Sequence, residues 1–229
     1  MKISVIIPAL NEARGILSCL DSVKTQQGEF ELIVADGGSV DGTVEVVRPH
    51  AKVIHSQQGR AVQMNSGARQ ATGDVLLFLH ADSCLPPRAF PLLERALADP
   101  RIAGGTFMLR FNSPRLLLRL IAFFTRFEFR YLHYGDQGIF VRRSVFEQLN
   151  GFTEITFMED VDFLRRLYRT GRVTLLKQPI TTSARRFLER GVLRQQLMNI
   201  ILVIFYLLGA RPQTLKKLYG KYGRESAQN

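Results

Sequence analysis

The feature that most narrows the fold is a rhythm of four short apolar runs, Ile3–Ile7, Phe30–Ala35, Lys52–His55 and Val75–Leu79, each ended by a polar loop. A run this short, apolar throughout as in Val75–Leu79, reads as a strand buried on both faces, as inside a parallel sheet covered by helices. Helical stretches separate the runs, and the resulting βαβαβαβ order predicts an α/β, Rossmann-like fold with a mostly parallel sheet. Ligands of such sheets sit outside the carboxyl ends of the strands, so the polar loops are where chemistry is expected.

The first loop, Pro8-Ala9-Leu10-Asn11-Glu12, leads into a helix through about Thr25. The second, Asp36-Gly37-Gly38-Ser39-Val40-Asp41-Gly42-Thr43, has glycines free to take unusual backbone angles and two candidates, Asp41 and Thr43, to cap the helix Val44–Val47. Asp36 suits the base or ribose of a nucleotide, since a carboxylate accepts N–H and O–H bonds but not phosphate; a plain turn with an N-cap uses the same residues. In the third, Ser56–Gly59 leads into a helix whose first turn offers Arg60 to a phosphate or a base. The fourth ends in His80-Ala81-Asp82, where Asp82 either holds a divalent cation or caps the turn before Pro86-Pro87.

Further on, a helix is expected over Pro87–Ala98 and a strand over Ala103–Phe111, whose Gly104-Gly105 either admits a sugar closely or forms a bulge. Read as a helix, Arg115–Tyr134 gathers Arg115, Arg119, Arg126, Arg130 and His133 within about 60° of arc on an otherwise apolar rod. That suits a membrane interface or a core helix with a solvated edge; Arg126–Arg130 also fits a strand. A strand, Ile139–Arg142, and a short helix, Ser144–Leu149, follow. Glu159-Asp160 then opens an amphipathic helix that Gly171 stops. The helix dipole favours acids there, and the same placement fixes a carboxylate at the mouth of a cleft. Val173–Leu176 is the last expected strand, and beyond it Arg185 or Arg186 either clamps a diphosphate or lies on the surface beside Glu189.

Taken together, Pro8-Ala-Leu-Asn11-Glu12, Ala35-Asp36-Gly37-Gly-Ser39-x-Asp41-Gly42-Thr43, Gly59-Arg60-x-x-x-x-Asn65-x-Gly67 and His80-Ala81-Asp82 resemble, in order and spacing, the family 2 glycosyltransferases of the GT-A fold. The chain is similar, more narrowly, to a small bacterial subgroup of that family associated with arsenosugar and radical-SAM pathways. The resemblance covers about residues 1–190. It implies that the first two motifs bind the nucleoside of a UDP- or GDP-sugar. It also implies that the strand-end motif binds Mg²⁺ or Mn²⁺ on the diphosphate, and that Asp160 of the Glu159-Asp160 pair is the catalytic base. His80 stands where the family usually has the first Asp of Asp-x-Asp, which leaves Asp82 as the metal ligand. Ser183, Arg186 and Phe187 stand in for the family's Gln-x-x-Arg-Trp, and with no Trp in the chain processive synthesis is disfavoured.

Charge locates a second partner. The first 99 residues hold 9 basic and 11 acidic side chains, so 22 basic and 9 acidic ones fall in the remainder, where they are interleaved with runs such as Ile200–Phe205. That pattern fits an anionic membrane surface rather than nucleic acid. The apolar stretch Leu197–Ala210 is below the roughly 18–20 residues that cross a bilayer. With the basic residues after it, the segment 191–229 is expected to be an appendage that associates with a membrane or with another copy of the chain. Cys19 and Cys84 form no disulfide framework, and no signal peptide is evident; a cytoplasmic protein, peripheral at the inner face of the cell membrane, is expected.

The sequence thus predicts an inverting, metal-assisted glycosyltransferase acting on a hydroxyl or a lipid phosphate; with a lipid phosphate no base is needed, and Asp160 would only position the acceptor or bind metal. A sugar nucleotidylyltransferase would share the fold but should carry an early glycine-rich loop with a basic residue. A non-catalytic membrane adaptor would leave the polar residues at successive strand ends unexplained.

Overall fold

A computed structural model describes residues 1–126 and 135–225. Among the described residues, β1 (Ile3–Ala9), β2 (Phe30–Asp36), β3 (Lys52–His55) and β4 (Val75–Phe78) alternate with α1 (Ile16–Lys24), α2 (Thr43–Val47) and α3 (Arg60–Gln70). Next come β5 (Ser83–Cys84), α4 (Ala89–Leu97), β6 (Ile102–Phe111) and α5 (Leu116–Phe124). A 3-10 turn at Gly135–Gln137 precedes β7 (Ile139–Arg142), α6 (Arg143–Gln148), α7 (Glu159–Leu167) and β8 (Arg172–Thr182). Three helices close the chain: α8 (Arg185–Arg190), α9 (Val192–Leu207) and α10 (Pro212–Glu225).

The eight strands make one sheet in the order β3-β2-β1-β4-β7-β6-β8-β5. The β1–β2, β1–β4, β2–β3 and β6–β8 pairings are parallel, whereas β7 runs antiparallel to both β4 and β6. The sheet is mostly parallel as expected, through β3-β2-β1-β4 and at β6–β8, with β7 and β5 joining it antiparallel.

Alternate residues of the central strands feed two cores. Ile3, Val5 and Ile7 pack with Leu20 of α1, Val47 of α2 and Phe90 of α4, whereas Ile6, Leu76 and Phe78 pack with Met64 of α3 and Phe163 of α7. Both faces of β1 and β4 are buried, which is why their sequences are unbroken apolar runs.

Gly104 and Gly105 serve the sheet and not a sugar. They pair with Val141 and Phe140 inside the sheet, beside a register shift between Ile102 and Gly104. A Cβ would come within 2.3 Å of the Phe140 carbonyl oxygen at Gly104 and 2.1 Å of the Thr174 carbonyl oxygen at Gly105.

Strand β8 extends six residues past its expected end at Leu176, to Thr182. Phe107 pairs with Leu176 and Met108 with Pro179, so Lys177 and Gln178 bulge out, and a proline is tolerated where the ladder is interrupted.

The stretch expected as a basic tail is helical in α10, which packs against α9 through Leu215; α9 in turn lays Leu202 and Val203 on Met158 and Val161. Of the basic stripe expected from Arg115, the residues Arg130 and His133 lie outside the described residues, as do the side chains of Lys221 and Arg224. No helix among the described residues is long and apolar enough to cross a membrane.

Candidate active site

The loops after β1 and β2 are knitted together before any ligand is considered. Asn11, in a left-handed conformation (φ 55°), donates its N–H to Ser39 Oγ (2.9 Å) and accepts Val40 N–H on Oδ1 (2.9 Å). Glu12 N–H donates to Thr43 Oγ1 at 2.9 Å and Ala13 N–H to Asp41 Oδ2 at 3.1 Å. Asp41 Oδ1 also accepts from the Thr43 amide and hydroxyl, and these bonds hold its carboxyl below the usual range. Asp36 is buried and turned onto its own loop, accepting Gly38 N–H at 3.0 Å and Ser39 N–H at 3.1 Å. Gly37 donates to the carbonyl of Ala9 at 2.9 Å, just past half-buried Pro8.

Beneath both loops lies Gln63, which no sequence motif marks. Its buried amide donates to the carbonyls of Ala9 (2.7 Å) and Ala35 (2.8 Å), so α3 clamps the ends of β1 and β2 at one level. A glutamine on the buried face of α3 between Ala61 and Met64 was the available signal.

The strand-end, α7 and α8 residues meet at one cavity of about 210 Å³ lined by Arg60, His80, Asp82, Asp136, Glu159, Asp160 and Arg186 among others. Asp82 follows β4, and its backbone carbonyl accepts Ser183 N–H at 3.2 Å, which ties this loop to the end of β8. Glu12 reaches the same neighbourhood. Burial first, then the Asp82 carboxylate, pushes its carboxyl up, while Arg185 Nη2 lies 3.9 Å from its Oε2. His80 is held well below the usual histidine range, by burial and then by the Arg60 and Arg186 guanidiniums, so its imidazole is neutral.

Helix α7 starts from Met158, a left-handed residue (φ 66°) whose side chain is buried among Leu202 and Val203 of α9. Non-glycine residues adopt that backbone at a cost, and the turn delivers the next two acids to the cavity. Glu159 is buried and ion-paired to Arg60 (Oε1 to Nη1, 3.2 Å); burial raises its carboxyl, Asp160 adds to this, and Arg60 opposes it. Asp160 Oδ1 accepts the Val161 N–H at 2.8 Å. Asp162, the third acid of this turn, is occupied by Arg166 Nε (2.9 Å) and Thr153 Oγ1 (2.7 Å), so it belongs to the scaffold.

Asp136 was not singled out from sequence. It lies on the turn before β7, and its carboxyl is pushed up to about 6, chiefly by burial and then by Asp160 and Asp82, with Arg186 and Arg60 opposing. Only the folded arrangement reveals this residue, because no flanking motif marks it.

Of the expected set, Arg60, Asp82, Glu159, Asp160 and Arg186 line the cavity, whereas Pro8, Asn11, Glu12, Asp36, Gly37, Asp41, Asn65, Ala81 and Arg185 do not. Asn65 exchanges both its amide groups with the backbone of Phe152 (Nδ2 to O 2.8 Å; N to Oδ1 2.9 Å), so it pins the turn leading to α7. Ala81 is buried in the core beneath the loop. Arg185 is exposed beside Glu12, whereas Arg186 lines the cavity and hydrogen-bonds Tyr219 of α10.

A divalent cation on a diphosphate needs few protein ligands, because phosphates and water fill the rest of its shell. Among the described residues no group of three or more His, Cys, Asp or Glu forms a closed metal site. The Asp82 carboxylate and the neutral His80 imidazole do line the cavity, and that open donor set fits a metal arriving with its substrate.

A mixed sheet with carboxylates and guanidiniums around a cavity at its strand ends is the architecture of the GT-A glycosyltransferases. A mannosyltransferase of Pyrobaculum calidifontis solved with GDP-Man and Mn²⁺ superposes with a TM-score of 0.65 at 23% identity, over 98% of this chain and 68% of that one. The S. aureus TarS 1-349 structure in complex with UDP gives 0.63 at 22% identity, over 80% and 60%. The family model for glycosyl transferase family 2 matches residues 4–152, and the chain belongs to that family. A PGL/p-HBAD biosynthesis glycosyltransferase of Mycobacterium bovis is 44% identical over 91 residues, 36% of each protein, so the match spans about a third of that relative's length.

Proposed function

We propose that the chain transfers a sugar from a nucleotide-diphosphate sugar to an acceptor oxygen with inversion at the anomeric carbon. One observation carries this: Asp82 and Asp160, remote in sequence, line the same cavity as Arg60 and Arg186, with space for a ligand. The loops knitted by Asn11, Asp36 and Asp41, with Pro8, Glu12 and Gly37, form the floor for the nucleoside. Arg186, helped by Arg185, and Arg60 face the diphosphate, where guanidiniums offset charge on the leaving group. Mg²⁺ or Mn²⁺ held by Asp82, with His80 beside it, would supply further stabilisation of that charge. Asp160 takes the acceptor proton as the acceptor oxygen bonds to the anomeric carbon; the bond from that carbon to the diphosphate oxygen breaks, and its electron pair leaves with the nucleotide. Glu159, paired with Arg60, keeps the start of α7 in place.

The relatives named above support a nucleotide-sugar donor, since the two solved neighbours bind GDP-Man with Mn²⁺ and UDP respectively. Isothermal titration with UDP and GDP, with and without Mn²⁺, tests the reading. Metal-enhanced binding of one of them is expected; a preference for nucleoside triphosphates, or no binding at all, overturns it.

The same chain is proposed to sit on an anionic membrane, at the inner face of the cell membrane. Leu117, Leu120 and Phe124 of α5 and Leu193, Leu197, Ile200 and Ile204 of α9 are exposed, in a half of the molecule rich in arginine and lysine. Sedimentation with vesicles containing phosphatidylglycerol, and not with purely zwitterionic ones, is the expected result.

A further inference from the structure

Two buried oxygens on the cavity wall lack a hydrogen-bond partner: Asp136 Oδ1 and Gln195 Oε1. Gln195 is 2% exposed, and its Nε2 donates to Asn199 Oδ1 at 2.7 Å, so its amide is oriented with the oxygen left over. Both orphaned atoms are acceptors, and what they need is a donor. A hydroxyl supplies one; a phosphate, itself an acceptor and charged like Asp136, does not.

Apolar side chains line the same cavity: Leu109, Phe111 and Ile121, and Leu202 and Val203 of α9. Phe124 lines the cavity yet is 59% exposed, so the mouth opens beside α5, where Leu117 and Leu120 continue the same helical stripe.

Resting on the glycosyl-transfer reading, we propose that the acceptor is an amphipathic polyol: a head bearing hydroxyls beyond the attacking one, carried on an aryl or alkyl body. Hydroxyls that do not react donate to Asp136 Oδ1 and Gln195 Oε1. The attacking hydroxyl bonds to the anomeric carbon and yields its proton to Asp160, and the diphosphate leaves with the electron pair. The apolar body lies between α5 and α9 and leaves past Phe124. Asp136 and Gln195 are then acceptor-specificity residues.

The test uses the full chain, the UDP- or GDP-sugar it consumes in a hydrolysis screen, and methyl, phenyl and octyl glucosides as acceptors, with a polyprenyl phosphate in detergent as the opposing arm. Octyl and phenyl glucosides are expected to exceed methyl glucoside in kcat/KM by about tenfold or more. A glycolipid bearing the same head in vesicles distinguishes a membrane-borne acceptor from a free one, either of which satisfies the proposal if it exceeds the methyl glucoside. Gln195→Ala and Asp136→Ala are each expected to raise acceptor KM about tenfold with a smaller change in kcat, the size of one lost hydrogen bond. Phe124→Ala, at an exposed site, is expected to erase the preference for octyl over methyl. Equal use of methyl and octyl glucosides, or transfer to the polyprenyl phosphate instead, overturns the proposal. If no nucleotide sugar is consumed and no nucleotide binds, it is the transfer reading that fails.

Discussion

Arg60 and Glu159 stand 99 positions apart in the chain, yet Arg60 Nη1 lies 3.2 Å from Glu159 Oε1. The contact joins the first turn of α3 to the first turn of α7, and so ties a loop at the end of β3 to the turn that presents Asp160. A buried carboxylate at that junction is stable only while a cation faces it.

Arg60→Ala should therefore destabilise the fold by roughly 1–2 kcal/mol, less than a fully buried pair would lose because the Arg60 side chain is 42% exposed. Adding Glu159→Gln should recover most of the loss. Chemical denaturation of the two variants measures it, and equal midpoints for wild type and Arg60→Ala would refute the role given to the pair.

Asp136 makes stability depend on pH. Its folded value, about 6, lies above its ordinary one of 3.8, so the folded chain holds this proton more tightly than the unfolded chain does. That contribution is complete below pH 3.8 and is lost as pH rises through about 6. Asp136→Asn, which has no proton to lose, should gain roughly 3 kcal/mol on wild type at pH 8 and little at pH 4. Thermal melts at the two pH values give the comparison; a constant offset between the proteins would contradict it.

Asp82→Ala and Asp160→Asn should separate binding from chemistry. The first is expected to abolish metal-dependent nucleotide binding, and the second to leave binding intact while lowering kcat by about 10²- to 10⁴-fold. Titration calorimetry and single-turnover assays read the two effects, and undiminished turnover in Asp160→Asn would remove Asp160 from the base role.

Gly105→Ala should cost about 3 kcal/mol or more, or prevent folding, because the new Cβ meets the Thr174 carbonyl oxygen and neither main chain can retreat without parting β6 from β8. Gly15→Ala is the matched control, with open space around it and an ordinary φ of −118°, and should change stability by less than about 1 kcal/mol. Similar denaturation midpoints for the two variants would show that the β6–β8 contact is looser than described.

The parts of the fold written in local pattern were readable from sequence. Buried strands announce themselves as apolar runs, and β1, β2 and β4 fall within a residue or two of where those runs place them; β3, half-exposed, matches its expected bounds as well. Asp82, Glu159, Asp160 and Arg186 were legible because each sits beside a run or at a helix start, and the structure brings them to one cavity. Other features depend on partners distant in the chain. Pro179 reads as the end of a strand until a bulge beside Met108 accommodates it. Asn65 reads as a ligand contact until Phe152 is seen to occupy its amide, and Gln195 is one polar position in an apolar helix until its oxygen is found without a donor. Asp136 gains its interest only from four charged neighbours contributed by other elements.

Helix α9 turns Gln195, Asn199 and Leu202 toward the cavity and leaves Leu193, Leu197 and Ile200 outside, while Arg60, His80 and Asp82 come from the first half of the chain. On the proposed reading the acceptor side is carried by α9, while the donor side draws on these strand-end residues and on Arg186 of α8. Exchanging α9 alone for that of a relative should then reassign what receives the sugar and leave the choice of donor where it was.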